Sequence, residues 1–113
     1  MKWHIIKYNK SNNLNGSNIY TEVNAQSSHS ILNKIPSSFT ITGGFNIGPA
    51  KSFGSNPITV LMTQNVGGAI SDAVVIRTVG NGQVIGMSLG GNWSGNNTLR
   101  DTNVQQLFIN AVN

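Results

Sequence analysis

The chain has 113 residues, the size of one domain, and 17 of them are Asn, whereas only 9% are charged. It has no cysteine, which excludes disulfides, thiolate metal ligands and cysteine nucleophiles. The net charge of +4 reflects a shortage of acids, because only Glu22, Asp72 and Asp101 oppose seven scattered cations. Nucleic acid is therefore not an expected partner.

No apolar run approaches the roughly 20 residues of a membrane-spanning helix, so we expect no transmembrane segment. The first ten residues also lack the apolar region of a signal peptide. Amides and hydroxyls in place of charges favour a secreted or cell-surface protein. Residues 1–113 are interpreted as one domain, either by itself or as the second half of a larger α/β fold.

The amino-terminal part is predicted to alternate short strands with polar loops. Aromatic and β-branched residues indicate strands, whereas Asn, Gly and Ser clusters indicate turns. The strands are predicted at 3–8, 19–23, 38–42 and 57–64, the loops at 9–18 and 45–56, and a turn region that could hold a helical turn at 65–72.

Residues 73–89, AVVIRTVGNGQVIGMSL, are predicted to form a β-hairpin. Asn81-Gly82 is typical of a type I′ turn, which would place Val79 opposite Val84. Val74, Ile76, Thr78, Ile85, Met87 and Leu89 then share one face, and the other face is still half apolar. Near-continuous apolar strands indicate cover on both faces, so we expect this hairpin at the centre of a sheet.

Residues 99–112 are predicted to form the one clear helix. Its apolar residues recur at helical spacing, namely Val104, Leu107, Phe108, Ala111 and Val112. Thr98 and Asp101 are rival N-cap residues. The predicted fold class is α/β: a β-rich mixed sheet with a central hairpin and this helix packed on one face. An all-β sandwich with a terminal helix is the alternative.

The carboxy-terminal 45 residues resemble class I glutamine-amidotransferase-like domains, in particular their ThuA-like relatives. The strand-rich 73–89 segment, a glycine-rich loop and the helix ending LFINAV carry the resemblance, and SSHSILNKIPSSF is similar to a further family segment. The chain departs from the family pattern at Ser30, where proline is usual, and it has no nucleophile elbow. The resemblance therefore implies an α/β architecture with a packed terminal helix, and no activity.

The loop GGNWSGNN holds the leading candidate binding residues: Trp93, Asn92, Asn96 and Asn97. A flat indole ring could stack on a sugar while the amides bond its hydroxyls. The competing interpretation is that Trp93 folds back over the core.

Other candidates have weaker support. His29 among Ser27, Ser28 and Ser30 suggests a hydrolase pair, but a loop histidine bonded to backbone is favoured. A zinc site from His4, His29 and an acid is disfavoured, and Asp72 is interpreted as a turn residue. We therefore predict no catalytic residue, no metal and no cofactor.

Three functions are consistent with these features. The favoured one is a non-catalytic binding or accessory domain, glycan-associated and partnered by a carbohydrate or a protein. A self-assembling structural surface protein, which would be a homo-oligomer, is one alternative. Part of a hydrolase completed by another chain or segment is the other.

Overall fold

The computed structural model describes residues 7–8, 12–47, 50–51, 58–88, 92–93 and 96–113, with side chains for 17–42, 58–88 and 98–113. The strands are β1 (Lys7–Tyr8), β2 (Asn12–Glu22), β3 (Ser38–Ile47), β4 (Ala50–Lys51), β5 (Thr59–Val66), β6 (Ala69–Val79), β7 (Gly82–Met87), β8 (Asn92–Trp93) and β9 (Asn96–Asn97). One helix, α1, spans Thr102–Val112, and three short 3-10 helices cover Asn24–Gln26, Ser30–Leu32 and Thr98–Arg100.

Five strands form one curled antiparallel sheet, a half-barrel, in the order β3-β2-β5-β6-β7. The connections from β5 to β6 and from β6 to β7 are two-residue turns, which only antiparallel neighbours allow. Two further pairs, β1 with β4 and β8 with β9, are short.

The core lies between the concave face of this sheet and the helical segments. Tyr20 and Phe39, on neighbouring strands, stack with ring centroids 5.0 Å apart. Val104 and Leu107 of α1 are fully buried against the same cluster. Its other buried members are Ile31, Leu32, Ile35, Ile41, Leu61, Met62, Val66, Ala73, Val74 and Ile76.

The prediction of a sheet-rich fold with a terminal helix on one face is confirmed. In the described residues the core lies between one sheet and helical segments, rather than between the two sheets of the sandwich alternative. Two details of the prediction are wrong. All pairings in the five-stranded sheet are antiparallel, so it is not mixed, and the hairpin is not central, because β7 lies at the sheet edge.

The hairpin turn differs from the prediction by one residue. Val79 pairs with Gly82, so the turn residues are Gly80 and Asn81. Only Gly80 of these two has a positive φ, 59°, which is the pattern of a type II′ turn. Val84 therefore lies opposite Arg77 instead of Val79.

The faces of the hairpin are nevertheless as predicted for residues 74–79 and 82–87, whereas Leu89 lies outside the described residues. Moving the turn by one residue shifts the pairing by two, and side chains alternate with a period of two. Val74 and Ile76 thus contribute to the core together with Ile85 and Met87. Val75, on the opposite face, is also only 1% exposed, which fits the expectation of cover on both faces at this point.

The loop predicted at 9–18 is wrong from residue 12 onward, and residues 9–11 lie outside the described residues. Residues 12–18 belong to β2, which pairs with β3 on one side and, from Asn18 onward, with β5 on the other. The glycines at 43 and 44 likewise do not end β3. Cross-strand pairing outweighs weak local strand propensity at both places.

Residues 65–72 hold no helical turn. Gly67 and Gly68 both have positive φ and make a two-residue turn between β5 and β6. Asn65 accepts a hydrogen bond at Oδ1 from the Gly68 N–H, which closes that turn. Asp72 therefore lies inside β6, opposite Thr63, and is not a turn residue.

The helix begins later than predicted, at Thr102. Residues 98–100 form a 3-10 turn, and Asp101 is the N-cap, accepting hydrogen bonds from the Asn103 and Val104 N–H groups. This decides between the two rival caps in favour of Asp101. In the described part of the chain, no helix is long and apolar enough to cross a membrane.

Candidate functional site

A polar pocket opens between the 3-10 turns of residues 24–32 and the carboxyl end of α1. Its volume is about 400 Å³, within the range of small-molecule sites. Seven uncharged polar residues line it: Ser27, Ser28, His29, Ser30, Asn33, Asn110 and Asn113. The pocket thus offers hydroxyl, amide and imidazole groups and no charged side chain.

His29 is held by the turn that it caps. Its Nδ1 accepts a hydrogen bond of 3.2 Å from the Ile31 N–H at the start of the Ser30–Leu32 turn. A neutral imidazole that accepts at Nδ1 carries its proton on Nε2. His29 is therefore a backbone-bonded loop histidine, as the sequence favoured, and it supplies one N–H donor besides this bond.

Asn110 joins the two walls of the pocket. Its Nδ2 donates to the carbonyls of Ile31 at 2.8 Å and Asn33 at 2.7 Å. Its Oδ1 accepts from Gln106 Nε2, one helical turn earlier. Both groups of the Asn110 amide are thus bonded within the protein, so this side chain supports the wall more than it contacts a ligand.

The lip of the pocket includes a type II β-turn from Leu32 to Ile35. The Ile35 N–H donates to the Leu32 carbonyl at 3.0 Å, and Asn33 has φ −59° and ψ 129°. Lys34, the third turn residue, has φ 65°, where glycine is usual. The Asn110 bond to Asn33 helps to hold this turn in place.

A separate polar cluster lies inside the sheet. Asn18 Nδ2 donates to Gln64 Oε1 at 2.9 Å and to the Tyr20 hydroxyl at 3.2 Å, and Gln64 Nε2 donates to the Asp72 carbonyl. Asn18, Tyr20 and Gln64 are fully buried. This cluster is buried in the core, and its amide groups are bonded within the protein except at Asn18 Oδ1, which is buried without a hydrogen-bond partner among the described residues.

The candidate loop around Trp93 occupies another part of the molecule. Asn92 pairs with Asn97 and Trp93 with Asn96 across β8 and β9, and the side chains of all four lie outside the described residues. Asn97 leads directly into the turn that precedes α1, whereas the pocket lies at the opposite end of that helix. Eleven helical residues span about 16 Å, so the two candidates are distinct sites.

The three carboxylates lie on different elements of the fold. Asp101 caps α1, Asp72 lies in β6, and Glu22 ends β2. In the described residues, no group of three or more His, Asp or Glu side chains has the arrangement of a metal site. His4 lies outside the described residues.

This pocket is only partly predictable from the sequence. The cluster of Ser27, Ser28, His29 and Ser30 is a local signal, but its neighbours on α1 are about 80 residues distant in the chain. Both SSHSILNKIPSSF and LFINAV, two of the segments that carry the ThuA-like resemblance, contribute residues to the pocket.

Searches of protein-family models, of curated proteins and of solved structures each found no match to this chain. The resemblance to ThuA-like domains therefore stays a prediction that rests on the quoted residues.

Proposed function

We propose that this chain is a non-catalytic binding domain for a neutral carbohydrate, which occupies the pocket of residues 27–30, 33, 110 and 113. The observation that carries the proposal is the set of residues that line that pocket, all of which have polar side chains and none of which is Lys, Arg, Asp or Glu. Such a lining suits a ligand with many hydrogen-bonding groups and no charge.

Sugar hydroxyls both donate and accept hydrogen bonds, and serine hydroxyls and asparagine amides match them on both counts. A charged ligand would be desolvated in this pocket without an opposite charge among its lining residues, which is unfavourable. A purely apolar ligand would leave the hydroxyls unpaired. Neutral polyols therefore fit the lining better than either alternative.

The size of the pocket limits the affinity. A hexose has about 12 non-hydrogen atoms, and at roughly 0.3 kcal/mol for each atom the binding free energy is about 4 kcal/mol. This corresponds to a Kd of about 1 mM for a single sugar unit. Tighter binding would need further contacts along an oligosaccharide.

The alternative of a hydrolase completed by another chain or segment has less support. A histidine general base needs a nucleophile within hydrogen-bond reach and a group that orients its ring. Here a backbone N–H holds Nδ1 of His29, where a triad would place a carboxylate. This arrangement supports a binding role for His29 rather than a role in proton transfer.

Trp93 with Asn92, Asn96 and Asn97 is proposed only as a second, separate contact for a longer glycan. The distance between the ends of α1 is too great for one sugar unit to reach both places. A secreted or cell-surface location, which we propose from the composition, would expose the domain to such glycans.

Isothermal titration with a panel of neutral mono- and oligosaccharides tests this proposal. Ser28→Trp places a large ring at the pocket and should weaken binding at least about tenfold. Ser37→Trp is the matched control, because Ser37 is also an exposed serine of the same segment and does not line the pocket. The Ser37→Trp variant should bind the sugars with the same dissociation constant as the unchanged chain.

Two outcomes would contradict the proposal. If no neutral sugar binds the unchanged chain at about 10 mM, the carbohydrate assignment is wrong. If Trp93→Ala abolishes binding while Ser28→Trp leaves it unchanged, the ligand occupies the loop of β8 and β9 instead of the pocket.

A further inference from the structure

Helix α1 has a second apolar face, directed away from the core. Val104 and Leu107 face the sheet and are fully buried. Phe108, Ile109 and Val112 are 45%, 51% and 85% exposed. Val112 follows Phe108 by four residues and Ile109 by three, so its side chain lies beside both on the helix surface, and we call these three residues the outer stripe.

An outer stripe of this kind is unusual on a small globular domain. A surface helix normally carries charged or polar residues opposite its buried face. Here Gln105 is the only polar side chain among the exposed residues from 105 to 112. Contiguous exposed apolar side chains of this type mark interaction surfaces.

We propose that the outer stripe binds the outer stripe of a second copy of this chain. The distribution of charge carries this choice of partner. In a two-fold interface the same surface meets itself, so any charge on it comes close to its own copy. The chain has a net charge of +4, yet none of the residues from Thr102 to Asn113 is charged, so two α1 helices approach without like-charge repulsion.

A lipid surface fits the helix less well. Helices that lie in a membrane interface carry lysine and arginine on their polar face, where they meet anionic headgroups. Helix α1 has neither residue. The absence of charge thus favours a protein surface of the same composition over a membrane.

The contact should be weak. An 11-residue helix is about 16 Å long, and the outer stripe is smaller than the roughly 800 Å² that each partner buries in a standard interface. Tight dimers at low concentration are therefore not expected. A dissociation constant between about 10 µM and 1 mM is consistent with this size.

Sedimentation equilibrium from about 10 µM to about 1 mM tests the proposal. The average molar mass of the unchanged chain should rise with concentration, from the mass of one copy towards the mass of two. Ile109→Glu places two carboxylates against each other and should weaken association at least about tenfold. Ile70→Glu is the matched control, because Ile70 is a 70% exposed isoleucine on β6 and should associate normally.

Val112→Glu is a second variant that keeps the test valid if Ile109→Glu fails to fold. Val112 is 85% exposed and makes few contacts in the monomer, so its replacement should leave the fold intact. It should also weaken association. A single-copy mass at all concentrations would overturn the proposal, as would equal loss of association in Ile70→Glu. Sedimentation of the monomer with anionic phospholipid vesicles, lost in Ile109→Glu, would assign the outer stripe to a membrane instead.

Discussion

Lys34 adopts a left-handed backbone conformation, with φ 65°, at a turn position that favours glycine. A side chain in this region is strained by its Cβ, and the surrounding hydrogen bonds hold it there. The strain lies on the lip of the proposed binding pocket, beside Asn33.

Replacing Lys34 with glycine should relieve this strain. We expect Lys34→Gly to raise the free energy of unfolding by about 0.5–1 kcal/mol. Urea denaturation followed by circular dichroism measures the change. Asn33→Gly is the control, because Asn33 has φ −59° and gains nothing from glycine. Equal effects of the two variants would contradict the assignment of strain to Lys34.

Tyr20 should make folding sensitive to alkaline pH. Burial raises the pKa of its hydroxyl above the usual range, and the carboxylate of Asp101 raises the pKa further. The unfolded chain releases this proton near pH 10, whereas the folded chain retains it. The contribution to stability is therefore complete below about pH 10 and is lost as the pH rises further.

The free energy of unfolding should consequently fall more steeply between about pH 9 and pH 11 in the unchanged chain than in Tyr20→Phe. Denaturant titrations at the two pH values give the two slopes. Lysines titrate in both chains, so the difference between the chains isolates Tyr20. Parallel slopes would show that the Tyr20 hydroxyl ionises equally in both states.

Among the elements, α1 is joined to residues 31–33 by the Asn110 amide in addition to the apolar packing of Val104 and Leu107. Asn110 donates to two backbone carbonyls, of Ile31 and Asn33. Asn110→Asp should lower the free energy of unfolding by about 2–3 kcal/mol, because a carboxylate cannot donate and would face both carbonyl oxygens. Thermal and urea unfolding both report this loss.

Asn113→Asp is the matched control for that change. It adds the same charge at the same end of the helix, where the helix dipole disfavours a negative charge, and Asn113 also lines the pocket. We expect an effect within about 0.5 kcal/mol. A loss as large as that of Asn110→Asp would assign the effect to charge instead of the two hydrogen bonds.

Elements with strong local periodicity were predictable from the sequence. The hairpin and the helix were found because apolar residues repeat every two residues in one and at helical spacing in the other. The hairpin faces were correct although the turn was placed one residue away, because a two-residue shift in pairing leaves each side chain on its face.

β2 was only partly predictable, because its stability comes from residues distant in the chain. Asn12 to Ser17 have a turn-like composition, yet they pair with β3 through Ile47 to Thr42. Asn18 is fully buried, and its Nδ2 group donates to Gln64 and Tyr20. Local strand propensity takes no account of partners that are distant in the chain, so the composition of these residues predicts a loop.

At the scale of the whole molecule, the pocket forms where two distant segments meet. Residues 27–33 supply one wall and the end of α1 supplies the other, about 80 residues later. The sequence favours the tryptophan loop as a site because a tryptophan among glycines and asparagines is a distinctive local pattern. Apart from His29, the pocket is made of serine and asparagine, which give a weaker local signal because they are abundant throughout the chain.

The two proposals concern neighbouring faces of one helix. Asn110 and Asn113 line the pocket, and Ile109 and Val112 belong to the outer stripe. A dimer through the outer stripes would therefore carry two sugar pockets, and two weak sites on one particle bind a repeating glycan more tightly than one site does.

The most direct test of the sugar-binding pocket is a chemical-shift titration of the ¹⁵N-labelled chain with the neutral saccharide panel. The pocket predicts concentration-dependent shifts in the backbone amides of residues 27–33 and 110–113, with little change at 92–97. Shifts confined to residues 92–97, or none for any neutral sugar at about 10 mM, would contradict it.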